Sequence, residues 1–175
     1  MRSEPESGLG GAPGTPGETA YVAAFLRFYR ATIIEKCRAL PVSEQRRPHL
    51  PSGWTPLELV WHLAYVERRW FVWGFLGEQV PEPWGDHVGD DPEGSWFVPA
   101  ETSLDDVVAM LERVAARTED VLLRHAAEEV AALGGRFAAD PPDLRWICAH
   151  VLQEYARHAG HLDVVVELAG GPTGE

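Results

Sequence analysis

Apolar residues recur at helical spacing in four long stretches of the chain. The first two cover about residues 18–40 and 56–76, and the others cover about residues 104–132 and 143–169. No stretch alternates apolar and polar residues over a useful length, so we predict no β-sheet. Residues 77–102 are rich in Pro, Gly and Asp and lack periodicity. The pattern predicts an all-α four-helix bundle with a long crossover loop between helices 2 and 3.

Local start signals support two of these helices. Thr55 precedes Pro56, and Glu58 follows the threonine by three residues, which is the pattern of a capping box with proline at the first helical position. Ser103 is placed to cap the third helix, and Asp105 and Asp106 in its first turn suit the helix dipole. The second helix is apolar around almost its whole circumference, so we predict that it is mostly buried.

The composition suggests one folded domain with short tails. Residues 1–17 consist mainly of Gly, Pro, Ser and Glu and offer almost nothing to bury, which predicts a disordered N-terminal tail. Residues 18–171 are predicted to form the bundle, and residues 172–175 a short C-terminal tail. The N-terminus has no apolar core of a signal peptide, so no leader is expected.

The chain is acidic, with a net charge of −12 from 15 basic and 27 acidic residues. Such a field repels phosphate, which excludes nucleic acid and anionic membranes as expected partners. No apolar run approaches the roughly 18 residues of a membrane span. The two cysteines, Cys37 and Cys148, show no metal-binding or redox spacing. We expect them to be reduced, buried thiols in a cytoplasmic protein.

Seven tryptophans are unusually many for 175 residues. They are typical of core and interface packing. Together with the apolar circumference of the second helix, they exceed what one small core readily hides, so we predict a homodimer.

The fourth helix carries an ionisable stripe where a core-facing helix normally carries Leu or Ala. Measured around the helix from Glu154, His158 lies at about 40°, His161 at about −20° and His150 at about −40°. His62 is the other histidine set into a mostly apolar helix, the second one. Helical bundles build metal sites in their interiors from side chains of facing helices in this manner.

The donor types indicate which chemistry is available. Two imidazoles and one carboxylate form a set used by catalytic zinc, and the same set also suits ferrous iron. The residues alone leave a second reading open, a buried polar network without metal. A carboxylate-bridged di-iron site is rejected, because it needs Glu-x-x-His, whereas Glu58 to His62 and Glu154 to His158 are each one residue longer.

Two segments, SGWTPLELVWHLAYVERRW and LRWICAHVLQEYARHAGHLDVVVEL, resemble the DinB-like superfamily of four-helix bundles. The resemblance is closest to an actinobacterial branch with the signature E-x-x-R-H-A-G-H-L-D, here residues 154–163. It implies a divalent metal held by His62, Glu154 and His158. The commonest family pattern has histidine in place of Glu154, so the set here is more similar to that of mycothiol-dependent maleylpyruvate isomerase. Zinc is the metal we expect first, with nickel, manganese or iron as alternatives.

The neighbouring residues receive more modest roles. The resemblance places His161 where relatives carry Gln or His, so it is a candidate for proton transfer, substrate contact or a fourth ligand. We expect His150 and Glu67 to support the ligands from a second layer. Otherwise, Glu67, Arg68 and Arg69 are expected to face solvent or an interface.

Two classes of function follow. The first is a metal-dependent S-transferase or isomerase, in which a low-molecular-weight thiol serves as co-substrate and attacks a small electrophile, since a metal favours the thiolate. The same site is also compatible with a metal-dependent hydrolase. The second class is a non-catalytic, metal-stabilised dimeric bundle or a small-ligand-binding stress protein.

Overall fold

A computed structural model describes residues 17–173. The predicted tail over residues 1–17 lies outside this range except for Gly17, and the last two residues also lie outside it. The helices, in chain order, are α1 (Glu18–Arg38), α2 (Val42–Gln45), α3 (Pro56–Glu67), a π-helical segment (Arg68–Phe75), a 3-10 turn (Val88–Asp90), α4 (Leu104–Arg124) and α5 (Leu144–Leu168). Within residues 17–173 there are two isolated β-bridges and no strand. The prediction of an all-α bundle is confirmed.

Four long helices form the bundle: α1, α3 with its π-helical continuation, α4 and α5. α1 packs on α5 and α4, and α3 packs on α4 and α5. Ten of the twelve residues of α3 are buried, as its apolar circumference predicted. No helix in residues 17–173 is long and apolar enough to cross a membrane.

The predicted caps are present. Thr55 Oγ1 accepts a hydrogen bond from Glu58 N, and Glu58 Oε2 accepts one from Thr55 N at 2.8 Å. Ser103 and Asp106 form a second capping box at the start of α4. These reciprocal bonds satisfy backbone donors that the first turn of a helix leaves free.

The second helix extends nearly to the predicted boundary at residue 76, but its last turns are π-helical. Leu76 N donates to Phe71 O at 3.1 Å, a bond that spans five residues. The wider π-helical turns are often found at functional sites. Here they carry Arg69 and Trp70, both of which contribute to the surroundings of the site described below.

The third helix is shorter than predicted. It ends at Arg124, and the prediction that it continues to residue 132 is wrong, because His125 adopts an extended conformation. The backbone that follows bonds to the π-helical segment instead. Ala132 N donates to Phe75 O at 2.9 Å. The apolar residues that suggested further helical turns, Val130 and Leu133, are exposed.

One buried carboxylate links all four long helices. Glu67, at the end of α3, is fully buried and accepts hydrogen bonds from Arg30 of α1, Thr118 of α4 and Tyr155 of α5. The two bonds from Arg30 measure 2.7 and 2.8 Å. The expectation that Glu67 and Arg69 face solvent or an interface is therefore wrong, since both are buried.

Candidate metal centre

Three candidate ligands converge between α3 and α5. His62, Glu154 and His158 each offer one ligand atom, and these atoms lie within 4.8 Å of one another. Both imidazoles are buried and Glu154 is half-buried. Leu63, next to His62 on α3, and Leu162, one turn after His158 on α5, are fully buried core residues, which fixes the rotation of both helices.

The two candidate ligands on α5 contact each other directly. His158 Nε2 lies 3.1 Å from Glu154 Oε2, one helical turn away. This hydrogen bond lowers the pKa of Glu154 against the effect of burial, so the carboxylate is ionised at neutral pH. His158 Nδ1 is buried and has no hydrogen-bond partner among the described residues. A buried ring nitrogen without a partner is costly, which makes this pair a suitable place for a cation or a further ligand.

Asp86 orients the third candidate ligand. Asp86 is fully buried, and its Oδ2 lies 2.8 Å from His62 Nδ1. Arg69 donates to both oxygens of this carboxylate, at 2.5 and 3.0 Å. Although burial opposes ionisation, the hydrogen bonds from His62 and Arg69 hold the pKa of Asp86 well below its usual range.

These charges define the tautomer of His62. Burial lowers the pKa of His62 to about 4, despite the opposing effect of Asp86, so the ring is neutral at pH 7. Because an ionised carboxylate only accepts hydrogen bonds, the proton of the neutral ring is on Nδ1. The lone pair on Nε2 is then free for a metal. A carboxylate behind a ligating histidine is the usual means of fixing a metal ligand.

The residues present therefore fit a divalent metal. The set combines one neutral, oriented imidazole with an ionised carboxylate and a second imidazole that has an unpartnered nitrogen. This donor chemistry suits zinc and also nickel, manganese or ferrous iron.

A second group of potential ligands consists of His62, Asp86 and His87. We do not regard it as a metal site, because the guanidinium of Arg69 already bonds to both oxygens of Asp86 and repels a cation there. His87 Nδ1 lies 3.0 Å from Asp86 Oδ1 without the alignment of a hydrogen bond.

Trp96 of the crossover loop covers the two candidate histidine ligands. Trp96 stacks on His62 with 4.2 Å between ring centroids, and its centroid lies 5.2 Å from that of His158. An isolated β-bridge between His87 and Trp96 holds this part of the loop. The loop thus contributes Asp86, which precedes His87 at one end of the bridge. At the other end it contributes the apolar ring of Trp96, which covers His62 and His158.

His161 lies at the rim of this group. It is exposed, its ring centroid is 5.6 Å from that of His158, and Trp54 lies on its other side at 6.3 Å. Burial lowers its pKa, and the nearby His158 lowers it further. Neither of its ring nitrogens belongs to the group of three ligand atoms that converge. Its role in proton transfer, in substrate contact or as a fourth ligand remains a prediction.

The two residues expected in a second layer differ in their contacts. His150 Nε2 lies 3.7 Å from Glu154 Oε1, and its ring stacks on Trp146. Burial lowers the pKa of His150, which favours a neutral ring. The hydrogen bonds of Glu67 go to the network of the four helices described above. The role of Glu67 in supporting the metal ligands remains a prediction. None of these hydrogen bonds joins it to His62, Glu154 or His158.

Both cysteines are free and buried. Burial raises the pKa of Cys37 and that of Cys148 to about 12, so both remain thiols at neutral pH. Neither is a nucleophile for the site.

Sequence reasoning missed two of the residues that shape the centre, namely Asp86 and Arg69. Asp86 belongs to the aperiodic loop, where no spacing rule places a side chain against a helix. The sequence contained one signal for Asp86, namely Arg69 within an otherwise apolar helix. A buried cation requires an acidic partner. Asp86 is that partner.

A family model described as Mycothiol-S-transferase matches residues 21–171, which include both helices that carry the candidate ligands. No curated protein matches the chain.

Proposed function

The chain belongs to the mycothiol S-transferase family, a DinB-like family, and on this premise we propose that it is a metal-dependent enzyme that joins mycothiol, through its sulfur, to a small electrophile. The observation that carries the proposal is the convergence of His62, Glu154 and His158. The family indicates a low-molecular-weight thiol and a small-molecule substrate, and the three donors indicate how that thiol is activated.

His62, Glu154 and His158 would hold a divalent metal, with zinc as the first candidate and nickel, manganese or iron as alternatives. Such an ion, when bound, lowers the pKa of a coordinated thiol and so supplies the thiolate at neutral pH. Asp86 keeps the proton of His62 on Nδ1, and Arg69 keeps Asp86 ionised. The chain thus presents His62 with the lone pair of Nε2 available to a metal.

A thiol from outside the chain is required. Cys37 and Cys148 remain protonated in the core, because burial raises the pKa of each to about 12. The nucleophilic sulfur must then come from a co-substrate, and the thiolate form of that co-substrate is the reactive one. This agrees with the thiol named by the family.

We assign proton transfer to His161. Its ring lies next to His158 and is exposed on one side. Partial burial, followed by the charge of His158, lowers its pKa, so the ring is neutral at pH 7 and can accept a proton. It would take the proton of the arriving thiol or return one to the product.

The experiment combines purification without chelator, metal analysis and an assay with mycothiol and an aryl chloride. The expected result is bound metal and a thioether product identified by mass spectrometry, with both lost in His158→Ala. Conversion of an activated ester without thiol would instead indicate the hydrolase, and rearrangement of an unsaturated dicarboxylic acid with thiol regenerated would indicate the isomerase. Stoichiometric metal with no turnover in any of the three assays would favour the non-catalytic bundle and overturn the proposal.

We also propose a homodimer. Three apolar side chains on the outer face of α5 are exposed: Trp146, Val164 and Leu168. These three side chains support the proposal that this face of α5 binds a second copy of the chain. The other six tryptophans are at least partly buried within one chain and do not add to this face. Sedimentation should give a species at twice the 19.3 kDa of the chain. A single species at 19.3 kDa at micromolar concentration would contradict this proposal.

A further inference from the structure

Arg136 carries a half-buried guanidinium without an acidic partner among residues 17–173. Most arginines of residues 17–173 bond to a carboxylate or to a backbone carbonyl, and the structure gives no such partner for Arg113, Arg136 and Arg157. Of these three, Arg113 and Arg157 are exposed, where water solvates them. Arg136 is partly shielded from water. No described carboxylate pairs with it, although acidic residues outnumber basic ones and the chain carries a net charge of −12.

Three tryptophan rings surround this guanidinium. Its Cζ lies 4.3 Å from the ring centroid of Trp70, 5.3 Å from that of Trp84 and 5.7 Å from that of Trp73. The rings attract the cation through their faces and leave the N–H donors at the edge of the guanidinium unused. Burial, together with the charge of Arg69, lowers the pKa of Arg136. An arriving anion would compensate this charge.

The backbone holds Arg136 in place. Arg136 N donates to Trp73 O at 3.1 Å, and Gly134 N donates to Phe137 O at 3.0 Å. A Cβ on Gly135 would lie 2.0 Å from Trp73 O, so only glycine permits this approach of the loop to the π-helical segment. This close backbone contact fixes the main chain at Arg136 against the π-helical segment. A side chain that packed at the surface only by chance would not need such a contact.

Two routes of touching rings connect Arg136 to the candidate metal centre. On one side, Trp70 lies 4.3 Å from His150, which in turn lies 3.7 Å from Glu154. On the other side, Trp84 lies 5.6 Å from His87, whose centroid is 5.9 Å from that of His62. On each route, two side chains thus separate the guanidinium from a candidate ligand.

We propose that Arg136 is the recognition site for a carboxylate on the electrophilic substrate. The planar fork of donors on arginine matches the two oxygens of a carboxylate, and the flanking rings suit a substrate with an apolar or aromatic body. The assignment of this carboxylate to the electrophile rests on the proposed transferase function. The anion site itself rests only on Arg136 and its surroundings.

Binding of benzoate and of its uncharged analogue benzamide tests the site without requiring turnover. An NMR titration is made with the full chain, once after dialysis against a chelator and once with zinc added. The parent protein should bind benzoate at least about tenfold more tightly than benzamide, as expected for a charge-assisted pair. Arg136→Met retains an unbranched apolar chain between the rings and should remove this preference in the metal-free state, where no ion can bind the carboxylate.

Two further variants serve as controls. Arg113→Met removes the same charge from an exposed position of α4 and should leave the preference unchanged. Arg136→Lys keeps the charge but loses the bidentate fork, so it should show an intermediate preference. Equal affinity for benzoate in the parent and in Arg136→Met, with both folded by circular dichroism, would overturn the anion site. Loss of the preference in Arg113→Met would also overturn it, since the effect would then be one of net charge.

The assignment to the substrate has its own readout. With electrophiles that exist as acid and amide, Arg136→Met should raise the KM for the acid and leave both kcat values and the KM for the amide unchanged. A benzoate preference that depends on Arg136 in a protein without transferase activity would leave the anion site standing and reject the proposed function. An active transferase whose KM for the acid is unchanged in Arg136→Met would reject the substrate role alone.

Discussion

Asp86 Oδ2 accepts a hydrogen bond from His62 Nδ1 at 2.8 Å, although 24 residues separate the two in the chain. This bond decides which nitrogen of His62 is available for a metal, and Arg69 holds the carboxylate from its other side. The relationship makes the crossover loop part of the candidate centre. It also yields the first prediction.

Asp86→Asn should weaken metal binding by about 10- to 100-fold, the usual effect of losing a carboxylate behind a ligating histidine. An amide can present its N–H₂ to His62 and so favour the wrong tautomer. The measurement is competition of the folded protein with a chromophoric chelator for zinc. Asp91→Asn, an exposed position in the same loop, is the matched control and should bind as the parent does.

Asp86→Asn also leaves Arg69 buried without its partner, which is expected to cost about 3–5 kcal/mol of stability. The double variant Asp86→Asn with Arg69→Met removes the unpaired charge and should recover part of that loss in urea unfolding. Its metal affinity should stay low. Recovery of metal affinity together with stability would show that Asp86 acts only through folding.

The second prediction separates ligands from neighbours. His62→Ala, Glu154→Gln and His158→Ala should each lose most of the bound metal, because two remaining ligands hold an ion poorly. His161→Ala should retain the metal and lose activity. The measurement is metal content per chain after identical dialysis of the four variants and the parent. Full metal in His62→Ala together with loss in His161→Ala would contradict the ligand assignment.

Much of the fold was predictable because it depends on local patterns. The capping residues Thr55 and Ser103 and the apolar circumference of α3 act within a few residues of chain, so the sequence displays them directly. The end of α4 was not predictable in this way. Residues after Arg124 form backbone hydrogen bonds with the π-helical segment. The spacing of apolar residues in the sequence contains no information about hydrogen bonds between distant parts of the backbone.

The candidate centre divides along the same line. His62, Glu154 and His158 lie on regular helices, so their spacing indicated one shared stripe and a facing partner. Asp86 and Arg136 come from irregular segments, where position depends on close approaches such as those of Gly85 to Tyr65 and Gly135 to Trp73. These contacts are fixed by tertiary packing and leave no periodic trace.

The third prediction concerns the two cysteines. Because burial raises the pKa of Cys37 and Cys148 to about 12, both should resist alkylation by iodoacetamide in the native protein at pH 8. Both should react at once in urea. A raised folded pKa also means that the folded state retains protons that the unfolded state releases above about pH 9, so stability should fall as pH rises beyond that point.

Mass spectrometry of the alkylated protein checks the first part, and urea unfolding at pH 8 and pH 10 checks the second. The double variant Cys37→Ala with Cys148→Ala is the control for the alkaline effect and should lose less stability between the two pH values. Rapid native alkylation of either cysteine at pH 8 would mean that this thiol competes with an added co-substrate.

The last prediction concerns Glu67, which joins the four long helices. Glu67→Gln leaves Arg30 buried with a neutral partner, and removing one member of a buried pair costs about 3–5 kcal/mol. The lower end is expected here, because Arg30 Nη1 also lies 3.2 Å from Glu119. Glu119→Gln is the matched control. It removes a half-exposed partner of the same arginine and should cost less than about 1 kcal/mol.

Metal content distinguishes this structural role from support of the metal centre. The hydrogen bonds of Glu67 go to Arg30, Thr118 and Tyr155, so the folded fraction of Glu67→Gln should hold as much metal as the parent. Urea unfolding gives the stability, and metal analysis of the folded protein after dialysis gives the occupancy. If Glu67→Gln loses metal while its stability is unchanged, the carboxylate acts on the ligands after all, and its four hydrogen bonds contribute little to holding the bundle together.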